Sequence, residues 1–146
     1  MDKTYCYTAI AGWNGSERNA AGAPEITRVI PFSAPPEFGG QASVWSPEHL
    51  LLGAVATCYV STFRAIAGFS KLTFRAIDVS AEGTIEKQEG GLRFTRITLK
   101  PVVTIEREED RERARKILEK AERGCLVSRS LACQVMLERR SNLRKP

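Results

Sequence analysis

The sequence predicts a single α+β domain built from antiparallel strands and two main helices. Its 146 residues, 42% of them hydrophobic and 27% charged, are enough for one domain that buries its own core. Two segments carry helix start signals, and the runs around them are rich in aromatic and β-branched residues. We find no internal repeat or low-complexity segment, so residues 1–146 are taken as one domain.

Two strand-like runs open the chain. Residues 4–13 and 25–32 are rich in aromatic and β-branched residues, and the Gly, Asn, Ser and Ala residues between them are typical of turns. We therefore expect an antiparallel pair. Prolines and glycines in the next segment, PFSAPPEFGG, predict a loop whose length suggests a function or an interface.

The first helix has a clear beginning. Ser46 can cap it, Pro47 suits the first helical position, and Glu48 places an acid in the positive first turn. These signals predict a helix over residues 47–69. Residues 50–63 carry no charge, but this run is shorter than the roughly 20 residues that cross a bilayer. We expect a helix buried nearly all round, at the centre of the core and shared with a partner chain.

The second half of the chain begins with a predicted hairpin. Residues 73–87 and 92–106 are strand-like, and the connecting sequence QEGG has the paired glycines of a tight turn. Residues 131–138 (LACQVMLE) predict a closing strand.

A second helix is predicted between the hairpin and the closing strand. Residues 108–124 have acids in the first turn and Gly124 at the end. Cys125 would be the next member of the helix's apolar stripe if the helix continued. That stripe consists of Ala114, Ile117, Leu118 and Ala121.

Charge and the first residues bear on location and partners. The start, MDKTYCYTAI, has no apolar signal-peptide core, so we expect a cytoplasmic protein, in which permanent disulfides are disfavoured. The formal net charge of +5 includes a basic tail from about residue 139. A solvated tail explains this charge without nucleic acid or membrane as partner. A basic nucleic-acid-binding domain remains an alternative from another functional class.

Cysteines are the candidate reactive groups. Cys58 lies in the apolar helix and is either a small buried hydrophobe or a reactive thiol. Cys125 follows the second helix and could form a reversible cysteine pair with Cys58. Cys6 and Cys133 are predicted to be core residues. His49 is the single histidine and is expected to be a first-turn helical residue; without a Cys-x-x-Cys motif or a Gly-rich phosphate loop, neither metal nor cofactor is predicted.

Two motifs carry a family resemblance. Ser46-Pro47-Glu48 opens a helix with Cys58 ten residues after Glu48, and the segment 125–131 reads Cys-Leu-Val-Ser-Arg-Ser-Leu. From residue 4 to about residue 137 the chain resembles the OsmC/Ohr family of hydroperoxide-reducing proteins. The resemblance implies the OsmC-like α+β fold and an intertwined homodimer with a buried central helix.

The resemblance also implies roles for individual residues. Cys58 would be the peroxidatic thiol, Cys125 the resolving thiol, and Glu48 the carboxylate that orients a catalytic arginine. The substrate would be an organic hydroperoxide and the reductant an external dithiol, for which a lipoyl-type dithiol is a candidate. A thiolate that attacks the O–O bond becomes a sulfenic acid, which a second thiol converts into a disulfide.

The sequence departs from the family pattern at the positions of the catalytic arginine. The two positions where the family carries it read Gly-Trp-Asn-Gly at residues 12–15 and Glu-Phe-Gly-Gly at residues 37–40. A thiol in mid-helix needs a nearby cation, and Arg18 is the first candidate, with Arg28 as the second. The departure leaves an alternative open: an OsmC-like protein with weak catalysis that binds small molecules or thiols.

Spacing along the first helix points to a dimer. At 1.5 Å per residue, Glu48 lies about 15 Å from Cys58 along the helix axis, too far to share a site within one straight helix. A twofold-related partner could supply its own Glu48, and monomers would then be inactive. Apolar neighbours are expected to form a pocket mouth for bulky hydroperoxides: Val55, Tyr59, Thr62, Phe63, Trp45 and Phe38.

Overall fold

The computed structural model describes residues 2–15, 19–138 and 142–145. The chain forms two compact units, residues 1–51 and residues 52–146. The first helix, α1 (Pro47–Phe69), begins in the first unit and continues into the second. Its bounds are those predicted from the sequence.

The first unit contains a small antiparallel sheet. Strands β1 (Ile10–Gly12) and β3 (Ile26–Pro31) flank the central strand β2 (Ala20–Ala23). The expectation that the first two strand-like runs pair with each other was therefore wrong. Strand β2 has the sequence Ala-Ala-Gly-Ala, which lacks the side chains that signal a strand.

The loop before α1 makes a single 3-10 turn, Pro36–Phe38. Gly40 follows this turn, and a Cβ atom there would overlap the carbonyl group of Ala34. Phe32 and Trp45 then form an isolated parallel bridge, which brings the chain to the helix start. The proline- and glycine-rich segment therefore folds back on itself as an ordered loop.

The second unit is built on a long hairpin. Strands β4 (Phe74–Gln88) and β5 (Gly91–Ile105) pair antiparallel, and Gln88 faces Gly91 across a two-residue turn in which Gly90 has a φ of +94°. The predicted hairpin and its turn are confirmed. Strands β6 (Gln134–Leu137) and β7 (Leu143–Arg144) run parallel to β5 at successive positions along it.

Two helices connect β5 to β6. A 3-10 turn (Glu108–Asp110) leads into α2 (Arg111–Gly124), and α3 (Leu126–Arg129) follows after one intervening residue, Cys125. The predicted stripe of α2 is buried as expected, from Ala114 to Ala121.

Helix α1 is buried along one stripe in this chain. Val55, Tyr59, Phe63 and Ala67 pack into the core of the second unit with α2 and β5. The expectation of burial nearly all round is not met by one chain, since much of the remaining surface is half-buried or exposed. By length and composition α1 could cross a membrane, a test that core helices of soluble proteins also pass. Its packed stripe is consistent with such a core helix.

Candidate active site

The centre of the candidate site is the thiol of Cys58, half-buried on α1. It faces the junction between α2 and α3. Burial alone would raise the pKa of Cys58, but hydrogen bonds outweigh it, the largest from the backbone N–H of Val127 and a further one from that of Leu126. The net effect holds the pKa of this thiol below its ordinary value. Cys58 is thus suited to be a thiolate nucleophile.

Side chains add to this stabilisation. The Cys125 thiol also forms a hydrogen bond that lowers the pKa of Cys58, and the neighbouring Thr62 hydroxyl acts in the same direction. Thr62 lies one helical turn after Cys58, and its hydroxyl donates to the Cys58 carbonyl at 2.8 Å. On its other side, the Thr62 methyl group would be 3.4 Å from a Cβ atom on Gly124. Thr62 therefore lies on α1 against the end of α2, next to Cys125.

Cys125 occupies the junction itself. Its backbone is extended (φ −69°, ψ 110°), so it ends α2 and precedes the first residue of α3. Its side chain is fully buried, receives a hydrogen bond from Ser128 Oγ at 3.2 Å, and lies 4.0 Å from the Val55 carbonyl oxygen. Burial raises the pKa of Cys125, and donation of its S–H to Cys58 raises it further, although bonds from Ser128 oppose this.

The two thiols are therefore neighbours with opposite acid–base character. Cys58 is favoured as the anion, and Cys125 is favoured as the protonated thiol. A pair in which one thiol attacks as the thiolate and the second later forms a disulfide with it requires this difference. Both cysteines are unpaired in the structure, as are Cys6 and Cys133.

The apolar neighbours of Cys58 mostly have a different place from the one predicted. Val55, Tyr59 and Phe63 have no exposed surface, so they are core residues rather than a pocket mouth. The Tyr59 hydroxyl donates to the Leu118 carbonyl at 2.8 Å, and burial raises the pKa of this phenol strongly. Trp45 and Phe38 are about half exposed in the first unit.

The start of α1 is held by a reciprocal cap. Ser46 Oγ accepts the backbone N–H of His49 at 3.2 Å, and His49 Nδ1 in turn lies 3.1 Å from the backbone N of Ser46. The predicted Ser46 cap is thus confirmed, and His49 fills the role that Glu or Gln has in a capping box. Between them, Glu48 is half-buried, and its Oε1 atom lacks a hydrogen-bond partner among the described residues.

The arginine predicted to activate Cys58 is not located by the structure. Arg18 lies outside the described residues. Arg28 lies on β3 in the first unit and is exposed. Among the residues that the structure describes, the groups that lower the pKa of Cys58 belong to the second unit and are hydrogen-bond donors rather than cations. The sequence argument missed them because backbone N–H groups are present in every residue except proline and leave no sequence signal.

The remaining candidates behave in different ways. Cys6 is exposed in the irregular N-terminal segment, which contradicts the expectation of a core position. Cys133 is half-buried against the core of the second unit. Within residues 2–15, 19–138 and 142–145, the structure brings together no metal-binding cluster of His, Cys, Asp or Glu.

Comparison with known proteins places this chain among relatives. The model of the family described as OsmC-like protein matches residues 40–138. Bacillus subtilis YmaD, an uncharacterized protein, is 32% identical over 132 residues, which cover 88% of this chain and 87% of YmaD. Escherichia coli peroxiredoxin OsmC is 26% identical over 132 residues, which cover 88% of this chain and 91% of that protein.

A solved structure has the same fold. The organic hydroperoxide resistance protein OsmC from Legionella pneumophila aligns with a TM-score of 0.72 at 20% identity, covering 99% of this chain and 98% of that one. This likeness concerns the fold, while the family model and the Bacillus relative carry the assignment. The chain belongs to the OsmC-like family.

Proposed function

We propose that this protein is a thiol-dependent peroxidase that reduces organic hydroperoxides through Cys58 and Cys125. The observation that carries the proposal is the opposite acid–base character of two adjacent thiols, of which Cys58 accepts backbone N–H bonds from Leu126 and Val127. The names of two relatives, peroxiredoxin and organic hydroperoxide resistance protein, support the same reaction class.

The first step consumes the hydroperoxide. The Cys58 thiolate attacks the terminal oxygen, an S–O bond forms, and the O–O bond breaks. The sulfur loses two electrons and becomes a sulfenic acid. The departing alkoxide takes from solvent the proton that the Cys58 thiol released on ionisation, and it leaves as the alcohol. The backbone N–H groups at residues 126 and 127 lower the pKa of Cys58 and so favour the thiolate.

The second step closes a disulfide. The Cys125 sulfur attacks the Cys58 sulfur, an S–S bond forms, and the S–O bond breaks. The leaving hydroxide combines with the Cys125 proton to give water. An external dithiol then reduces the disulfide by two exchange steps, restoring both thiols and leaving as its own disulfide.

The charge on Cys58 determines the order in which the two thiols react. While Cys58 is a thiolate, its charge and its hydrogen bond raise the pKa of Cys125 and keep that thiol protonated. Conversion of Cys58 into a neutral sulfenic acid removes this effect, so the pKa of Cys125 falls when its attack is needed. The reduced pair therefore presents one nucleophile to the hydroperoxide at a time.

Glu48 and an arginine complete the proposed machinery. The unpartnered Oε1 of Glu48 leaves this carboxylate available to orient a guanidinium group. Arg18 is our first candidate and Arg28 the second. Since Glu48 and Cys58 are separated along one helix, we place the complete site in a homodimer, and we place the protein in the cytoplasm.

Stopped-flow reduction of cumene hydroperoxide, compared with hydrogen peroxide and with a dithiol as electron donor, tests the function. We expect faster reduction of the organic substrate, loss of the first turnover in Cys58→Ser, and an intact first turnover without repeated cycling in Cys125→Ser. Cys6→Ser is the matched control and should behave as wild type. Digestion of the oxidised protein should yield a disulfide between residues 58 and 125 within one chain.

Other results would assign the protein differently. An unimpaired first turnover in Cys58→Ser, or Cys6 or Cys133 as the oxidised partner, would overturn the roles. Inactivity of the wild type towards both peroxides would favour the alternative of an OsmC-like small-molecule- or thiol-binding protein, which the missing family arginine suggests.

A further inference from the structure

Ser128 is the polar side chain that reaches the buried resolving thiol. Its hydroxyl donates to Cys125 Sγ at 3.2 Å, and the Cys125 side chain has no exposed surface. Ser128 lies within α3 and is itself half-buried. Its hydroxyl therefore holds the sulfur from the α3 side.

The surroundings of this sulfur offer little else that favours an anion. In the part of the chain that the structure describes, the titratable groups beside Cys125 are Cys58 and Tyr59 on α1, with Glu122 acting on Tyr59. None of them carries a positive charge. Tyr59 donates its proton to a carbonyl, and burial raises the pKa of its phenol. The two hydrogen bonds that lower the pKa of Cys125 both come from Ser128, one from its hydroxyl and one from its backbone.

The hydrogen bond from Ser128 to Cys125 matters for the second step, in which the disulfide forms. Cys125 must gain thiolate character as its sulfur attacks the Cys58 sulfenic acid, and a buried anion is costly without hydrogen-bond donors. A hydroxyl that donates to the sulfur stabilises it while the S–S bond forms and the S–O bond breaks. The proton of the thiol ends in the leaving water, so the step needs no further reactant.

We propose that Ser128 is a positioning residue for disulfide formation, whose hydroxyl orients the Cys125 sulfur and favours its anionic form during attack on Cys58. This inference rests on the proposed function and adds a determinant of its second step. It assigns no contact between Ser128 and the hydroperoxide.

Rapid-quench mass spectrometry across a pH series tests the inference. The protein is mixed with one equivalent of cumene hydroperoxide, and the sulfenic acid and the disulfide are quantified separately. In Ser128→Ala we expect an unchanged first step, disulfide formation slowed about 3- to 10-fold near neutral pH, and a midpoint shifted towards higher pH, because loss of a donor raises the pKa of Cys125. Ser128→Thr should restore both.

Ser130→Ala is the matched control. Ser130 lies two residues further on, and its hydroxyl donates to the Leu126 carbonyl at 2.9 Å instead of a sulfur. Equal resolution rates and equal midpoints in Ser128→Ala and Ser130→Ala would overturn the inference and leave the proposed function intact. Absence of the disulfide in the wild type would overturn the proposed function itself.

Discussion

Each of the two thiols has one side-chain hydroxyl that stabilises its anion, and the hydroxyls come from different elements. Thr62 on α1 lowers the pKa of Cys58, and Ser128 on α3 lowers the pKa of Cys125. A hydroxyl is well suited to this role because it can rotate to donate a hydrogen bond to the sulfur, whether the sulfur is present as the thiol or as the thiolate. Among the described residues, the acid–base difference between the two thiols arises from burial and from backbone and side-chain hydrogen bonds, not from a charged side chain.

The contribution of Thr62 can be measured directly. Thr62→Val keeps the shape that packs against Gly124 but removes the hydroxyl. Since that hydroxyl lowers the pKa of Cys58, its loss should raise the pKa. We expect the midpoint of iodoacetamide labelling at Cys58 to move by up to about one unit towards higher pH.

Two further variants identify the cause of this shift. Thr62→Ser retains the hydroxyl and should keep the wild-type midpoint. Ser61→Ala removes a neighbouring hydroxyl that donates to the Thr57 carbonyl at 2.9 Å, and it should also leave the midpoint unchanged. An unchanged midpoint in Thr62→Val would mean that the backbone N–H groups suffice.

At the scale of elements, the hairpin β4–β5 is shaped by close packing at Gly83. A Cβ atom at this position would lie 2.5 Å from the Phe94 ring and 2.9 Å from Leu52 of α1. Gly83 therefore lets α1 and an aromatic ring of β5 pack closely at the middle of β4.

A Gly83→Ala substitution is expected to destabilise the protein. It should lower the free energy of unfolding by about 1–3 kcal/mol, because the core is overpacked. Urea denaturation checks the sign, and an unchanged stability of the Gly83→Ala protein would show that Phe94 can move aside.

The elements differ in how well the sequence predicts them. Helix α1 was predictable to its ends, because its cap, proline and apolar run all give side-chain signals. Strand β2 was missed because alanine and glycine carry none. At the candidate site, the sequence singled out Cys58 and Cys125, which the structure brings together, but the amides of Leu126 and Val127 that act on Cys58 depend on where the chain turns after α2.

At the scale of the whole molecule, α1 leaves an uncovered face. The exposed residues along this face include Thr57, Ser61, Ala65 and Gly68. At the end of the helix, Phe69 is 88% exposed. These residues recur every three or four positions, so they lie on one side of the helix. Arg64 is also exposed on this side of the helix, and the small residues around it allow close approach by a second copy of the same helix.

We therefore predict an obligate homodimer with the α1 helices at its centre, and a single charge should separate the two copies. Ala65→Glu places a carboxylate on the uncovered face, where it costs little in one chain but is expensive to bury in a dimer. Sedimentation velocity should show a dimer for the wild type and dissociation for Ala65→Glu, with loss of peroxidase activity in the monomer. The control is Lys116→Glu, which introduces the same side chain on the exposed face of α2 and should leave a fully active dimer. A wild-type monomer at low protein concentration, or an Ala65→Glu monomer with full activity, would show that one chain contains the complete catalytic site.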